Sequence, residues 1–526
     1  MGAHVGIGSL PIELIAVISH STDEATQRLL TCVCHAWRET LLKGKVLPRK
    51  RACCNPSMLG VDYLDGSSKC LDRRACLVRY MQCLVQRRRW TVFDWLENVM
   101  EPSRDTDGVF SRASVAAASD GDLKRLQVLA AHGRGQPARW VIQKAILYGH
   151  QHVVDWFYAM AVEAERGNDP VATTGCIAPR GQVWAFLNNN NILCDRAAEG
   201  GHLAILVWLC EKGCPWSKWT CASAAVSGFL ATLEWLRANG CPWDALTCAY
   251  AARRGHMDVV KWARAHGCPW NHSVCANAAS NGHLALLQWA RTNRCPWNVR
   301  DCILGAAKNG HLHVIRWMHA VGRSWTPKEE YGSHLNVVLG DQDAGWSKDT
   351  PHQRGLQAMS QAALGGHLHV VQWMRANGCP WDTLVCAMAA RGGHMHVLEW
   401  AHGNGCPWDV QVYMDAAARG HLHIAEWACA RGCPFDYGQS GDEPMIDMCW
   451  RAAEHGHLRM IQWLRAHGCP WSADTCSWAA AAGHLHVIQW ARAHGCPWDE
   501  NTYLQARHNG NRHIVSWLKA NGCPRG

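Results

Sequence analysis

From about residue 110 onward, short apolar stripes alternate with breaks marked by glycine, and the same stripe keeps returning. One complete unit reads Cys248-Ala-Tyr-Ala251-Ala252-Arg-Arg-Gly255-His256-Met-Asp-Val259-Val260-Lys-Trp262-Ala-Arg-Ala-His-Gly267-Cys268-Pro269-Trp270. Asp244 just ahead of it suits an N-cap, because its side-chain oxygens can accept from the free N–H groups of a first turn. Ser217, Asn271, Asn298, Asp382, Asp409, Ser472 and Asp499 hold the same place elsewhere. The alanine-rich segment that follows predicts a tightly packed helix, ended where Gly255 can adopt the left-handed conformation. A second helix is predicted from about His256, with Met257, Val260 and Ala263 on one stripe and Val259 and Trp262 beside it. Gly267 closes that helix and Pro269 prevents its continuation. Each helix is only about three turns long and could not persist alone.

The Gly-Cys-Pro-Trp turns set the register. Their cysteines fall at Cys214, Cys241, Cys268 and Cys295, at Cys379, Cys406 and Cys433, and at Cys469, Cys496 and Cys523, 27 residues apart within each group. Weaker copies lie at 116–133, at Ala145 to Trp156, at Ala306 to Trp325 and at Ala506 to Pro524. The expected fold is all-α: an elongated solenoid of stacked helix pairs over 111–526, each pair burying its apolar face on the next. Insertions near 326–360 and 437–446 are expected as loops, and the stretch from about 160 to 192 has no clear register. Residues 46–110 read as a basic, helical linker and 1–45 as a separate small helical module.

Composition follows from the repeat: 30 Trp, 28 Cys and 31 His against 6 Phe mean that a few positions are reused many times. A net charge of +9 is mild for 526 residues, and nucleic-acid-binding domains usually concentrate basic charge further. Lys43 to Arg51, Arg73-Arg74 and Arg87 to Arg89 read as a solvated linker, a nuclear signal or nucleic-acid contact being the sharper alternative. No apolar run approaches the roughly 18 residues of a membrane span, and no secretory signal opens the chain. Reduced cysteines, a cytoplasmic location (the host cytoplasm for a viral chain) with the nucleus left open, and no membrane partner are expected.

No metal or other cofactor is expected. Zinc ligands converge in fours at short fixed spacings, whereas Cys241 and Cys248 stand seven residues apart across a turn. The thiols read better as compact buried hydrophobes and the Gly-His histidine as a hydrogen-bonded turn residue. A catalytic Cys–His pair would need one copy to differ from the rest. The chain is therefore expected not to be an enzyme. Residues that vary while their neighbours repeat are the candidates for holding a target: Tyr250, Arg253, Asn277, Lys308, Met388, Arg391, Arg419, Arg451 and Trp478.

The recurring Ala-Ala-x-x-Gly-His-Leu-x-Val-x-x-Trp is similar to the two-helix part of the ankyrin repeat. That repeat runs to about 33 residues with a projecting β-finger, for which Gly-Cys-Pro-Trp substitutes here. The array resembles the large ankyrin families of giant DNA viruses and their protist hosts. Near the N-terminus, Leu10-Pro11-Ile12-Glu13-Leu14 with Ile18, then Val33, Cys34, Trp37 and Arg38, resembles an F-box. That likeness implies docking of Leu10, Pro11, Glu13, Leu14, Ile18, Val33, Cys34, Trp37 and Arg38 on the Skp-type adaptor of a cullin–RING ubiquitin ligase. Together the two resemblances imply a receptor that brings a target protein to the ligase. The alternative is an ankyrin scaffold or decoy with a vestigial F-box.

Overall fold

The computed structural model describes residues 104–131, 139–166, 191–322, 350–435 and 448–525, with Val85, Gln86 and Arg88 besides. Every regular element among them is helical. The chain divides into two compact units, Met1–Trp216 and Ser217–Gly526. The first holds α1 (Arg104–Asp120), α2 (Leu123–Ala131), α3 (Arg139–Leu147), α4 (Gln151–Arg166), α5 (Ile192–Gly200) and α6 (Leu203–Glu211). The second begins with α7 (Lys218–Ser227), α8 (Leu230–Ala238), α9 (Ala245–Arg254), α10 (Met257–Ala265), α11 (His272–Ser280), α12 (Leu284–Thr292), α13 (Val299–Lys308) and α14 (Leu312–Ala320). It continues with α15 (Pro351–Leu364), α16 (Leu368–Ala376), α17 (Thr383–Gly392), α18 (Met395–Gly403), α19 (Gln411–Arg419) and α20 (Leu422–Ala430). Its last hairpins are α21 (Cys449–Glu454), α22 (Leu458–Ala466), α23 (Ala473–Ala482), α24 (Leu485–Ala493), α25 (Glu500–His508) and α26 (Arg512–Ala520). Odd-numbered helices open a hairpin and even-numbered ones close it.

Within each unit a first helix packs on its own partner and on the next first helix, as α9 does on α10 and α11. This is the arrangement of a helical repeat solenoid. The alanine pairs explain the close approach: Ala251 and Ala252 are fully buried, and so are Ala278 and Ala279 in the next layer. Val259, Val260 and Ala263 fill the space between the two helices of a hairpin. Two sets of packing continue across the insertions, α13 on α15 and α19 on α21.

Local chemistry sets the boundaries. Asp244 is extended and its side chain accepts from Leu246 N, and Asn271 and Asp382 cap α11 and α17 alike. Asp409 stands two residues before α19, and its Oδ1 still accepts from Gln411 N at 2.9 Å. Gly255 ends α9 in the left-handed region with φ 82°. Residues 351–360, read from sequence as part of an insertion, are helical instead. Thr350 and Gln353 form a reciprocal capping box with Pro351 in the first turn, three start signals that the flanking polar sequence concealed. Residues 1–45, almost all of the 46–110 linker, 167–190, 323–349 and 437–446 lie outside the described residues. So do Leu10, Pro11, Glu13, Leu14, Ile18, Val33, Cys34, Trp37 and Arg38. No described helix is long and apolar enough to cross a membrane.

Candidate functional site

The residues that repeat are engaged in holding the stack. The histidine that opens a second helix reaches back to the preceding hairpin: His283 Nε2 lies 3.2 Å from the Arg253 carbonyl, and His367 Nε2 2.9 Å from that of Lys308. A carbonyl only accepts, so Nε2 carries the hydrogen in each case. Where a second histidine follows two residues later, it bonds the preceding glycine: His313 to the Gly282 carbonyl at 2.8 Å, His396 to that of Gly366 at 3.0 Å. The first ring also lies hard against that glycine. A Cβ on Gly255 would sit 2.7 Å from the His283 ring. His367 and His369 make the same two bonds across the first insertion.

The cysteines close each hairpin on itself. Cys268 Sγ donates to the carbonyl of Asp244, the cap of its own first helix, at 3.4 Å, and Cys295, Cys406 and Cys523 repeat the bond to Asn271, Asp382 and Asp499. A second thiol from the first helix packs beside it, with Cys476 and Cys496 sulfurs 3.7 Å apart. Burial pushes the Cys214 and Cys523 thiols up to about 11 and Cys433 to about 12. A thiolate is the nucleophile and the metal ligand, so these three sulfurs are poor candidates for either role, whereas a hydrogen bond from the Cys248 thiol lowers Cys268. Among the described residues no three His, Cys, Asp or Glu side chains gather as a metal would require.

Arginine and tryptophan finish the turn. Arg264 Nη1 donates to the Cys268 carbonyl while its guanidinium lies over Trp270, 4.3 Å from the ring centroid. Trp270 in turn meets Trp289 edge-on at 5.9 Å. Arg237, Arg375, Arg465 and Arg492 repeat the contact on Trp243, Trp381, Trp471 and Trp498.

The first helices offer a different surface. Counting back from the glycine that ends each one, the candidate residues fall in two rows. Five places back stand Tyr250, Asn277, Met388 and Arg451, all half-buried, and Trp478, 43% exposed. Two places back stand Arg253, Lys308 and Arg391, all exposed, with Arg419 one place back. Positions three apart share a helix face, so the two rows adjoin. Tyr250 approaches Trp219 at 6.3 Å between ring centroids, and Trp478 approaches Trp450 at 5.6 Å. Arg451 lies over Trp450 at 4.9 Å. Asn277 is partly engaged in structure, since its Nδ2 donates to the Ala249 carbonyl at 3.0 Å.

Sequence reading missed Asp415, the acid of the inner row, which is only 3% exposed. Burial raises its carboxyl above the ordinary carboxylate value, opposed by a hydrogen bond from Gln411 and by Arg391, Arg451 and Arg419. A buried carboxylate is rare unless something compensates it, and here three arginines of the candidate set surround it. Its signal lay in register: Tyr413, two residues before, replaces the repeating cysteine and donates its hydroxyl to the Cys433 carbonyl at 3.1 Å.

No family model matches the chain, and no curated protein matches it. Among solved structures, the crystal structure of the pentatricopeptide repeat protein PPR10 from maize aligns with 84% of this chain and 78% of its own, at 13% identity and a TM-score of 0.28. So loose a superposition says nothing about what this chain binds.

Proposed function

We propose that the chain is a non-catalytic protein-binding array, in which the first-helix face of the hairpins in Ser217–Gly526 holds a target protein. One observation carries this reading. The repeated His, Cys, Arg and Trp side chains are engaged in stacking and closing the hairpins, while the exposed first-helix positions change from layer to layer. A rigid scaffold with a varied face is how repeat arrays present binding surfaces. The hairpin, at 27 residues, is read as a shortened ankyrin repeat whose finger has become the Gly-Cys-Pro-Trp turn. Residues 1–45, on their likeness to an F-box, would recruit the Skp-type adaptor of a cullin–RING ligase, making the chain its substrate receptor.

The test uses purified adaptor with the full chain and with a variant lacking residues 1–45. The receptor reading expects capture by the full chain alone. Capture by neither, or by both equally, removes the ligase from the proposal. The array reading is tested separately, by labelling neighbours of the full chain in cells. The variant Tyr250→Ala/Arg391→Gln/Trp478→Ala should lose the targets, and retention of the same set would defeat it.

A further inference from the structure

We infer that the outer row of the first-helix face reads an extended acidic peptide whose carboxylates recur about every six residues. The inference deepens the protein-binding reading above and rests on it. Arg253, Lys308 and Arg391 occupy the same position, two before the glycine, on α9, α13 and α17. The hairpins between them carry Ser280 and Leu364 there, so the basic charge falls on alternate layers. All three side chains are exposed. Their backbones are fixed, because each carbonyl receives a histidine of the next hairpin: His283 on Arg253, His367 on Lys308 and His421 on Arg391. The spacing of the charges is thus built into the stack rather than left to flexible loops.

Geometry gives the period. Packed helices lie about 8–10 Å apart, so alternate layers stand about 16–20 Å apart. An extended chain advances about 3.3 Å per residue, which places five to six residues between one arginine or lysine and the next. Carboxylates suit this row because Arg can grip them in a bidentate fork and Lys as a point charge. The last-turn positions of the first helices in this unit hold one opposing acid, Glu454, four layers beyond Lys308. The inner row adds a floor of half-buried Tyr250, Asn277 and Met388 along the same path. A nucleic acid fits less well: its phosphates recur at every nucleotide, whereas this row has uncharged side chains on every second layer.

The experiment is selection of a random 16-residue peptide library displayed on phage against the immobilised full chain, repeated on Arg253→Gln/Lys308→Gln/Arg391→Gln. The three side chains are exposed, and because Arg391 also faces the buried Asp415, the thermal midpoint is measured for the triple variant and for Arg253→Gln/Lys308→Gln, which leaves that pairing intact. Enrichment of Asp or Glu at five- to six-residue spacing is expected. Affinity of the best peptide should fall at least tenfold on the triple variant, and added salt should weaken it. Enriched peptides without that spacing, or equal binding by the variant, overturn the inference while leaving the array reading intact. Displacement of the peptide by a single-stranded oligonucleotide at equal concentration overturns it in favour of nucleic acid. If no peptide is enriched, the inference falls, and the labelling experiment then decides the array reading by itself.

Discussion

The two ends of one hairpin layer face opposite demands. At the turn between hairpins, residues 264–270 repeat an Arg, a Cys and a Trp whose contacts recur within tenths of an ångström: 4.3 Å for Arg264 on Trp270 and 4.1 Å for Arg492 on Trp498. On the first-helix face the equivalent sites run Tyr250, Asn277, Gly305, Gln361, Met388, Asp415, Arg451 and Trp478. A side chain that must meet a copy of its neighbour in every layer is held constant by packing. One on this half-buried face meets different neighbours in different layers, as Tyr250 meets Trp219 and Asn277 the Ala249 carbonyl, and is free to differ with them. Repetition therefore marks structure here, and its loss marks positions that the stack leaves free to differ, the surface proposed above for a target.

Glycine gives the sharpest test of that division. Gly255 and Gly267 share nearly the same backbone, φ 82° and 81°, yet a Cβ at Gly255 meets the His283 ring while one at Gly267 meets nothing within 4 Å. Gly267→Ala should cost about 1–2 kcal/mol, the strain of a left-handed residue. Gly255→Ala adds the collision and should cost about 2–4 kcal/mol, because the histidine staple must shift as well. Urea unfolding of both variants checks this. Equal losses would mean that the histidine ring yields freely and that the staple contributes little.

Cysteine should come next. Cys268→Ala removes a fully buried sulfur and its bond to the Asp244 carbonyl, an expected loss of about 1–2 kcal/mol. Activity of any kind attributed to that thiol would contradict its structural role.

Acid should loosen the histidine staples. Burial lowers the values of His311, His394, His421, His457 and His484 below the ordinary 6.5, and neighbouring histidines such as His313, His396, His423, His455 and His486 add to the lowering. The sign follows directly. Unfolded histidine takes up a proton near 6.5 and the folded one only below it, so the stabilisation is complete above 6.5 and is lost as pH falls toward the lowered folded values. The urea midpoint should drop between pH 7.5 and 5.5, and His421→Gln with His457→Gln should flatten that slope. An unchanged slope would place the acid sensitivity elsewhere.

Much of this architecture was legible beforehand, for a physical reason. Helix starts, stops and stripes are local chemistry, and the 24 residues from Asp244 to Gly267 suffice to state them. The histidine and cysteine partners were not legible, because a carbonyl is named by no residue type and lies 24 to 59 positions away. Asp415 was hidden for a related reason. Its environment is made by Arg391 and Arg451 on the flanking layers, and only stacking brings them near.

The smallest effect is the most discriminating. Arg253→Gln alters an exposed side chain whose carbonyl, not its guanidinium, serves the stack. Stability should move by no more than about 0.5 kcal/mol, and the pH slope should not move at all. Binding is a separate matter, since a charge in a fixed row can matter to a partner while contributing nothing to folding. Asp415→Asn provides the counterpart on the inner row. It removes a carboxylate whose ionisation is opposed by burial, so stability at pH 7 should hold or rise slightly while the charge presented by Arg391, Arg419 and Arg451 increases. If Arg253→Gln instead unfolded the array, the guanidinium would belong to the scaffold. The division between repeated structure and varied surface would then fail at the position where it is most exposed to test.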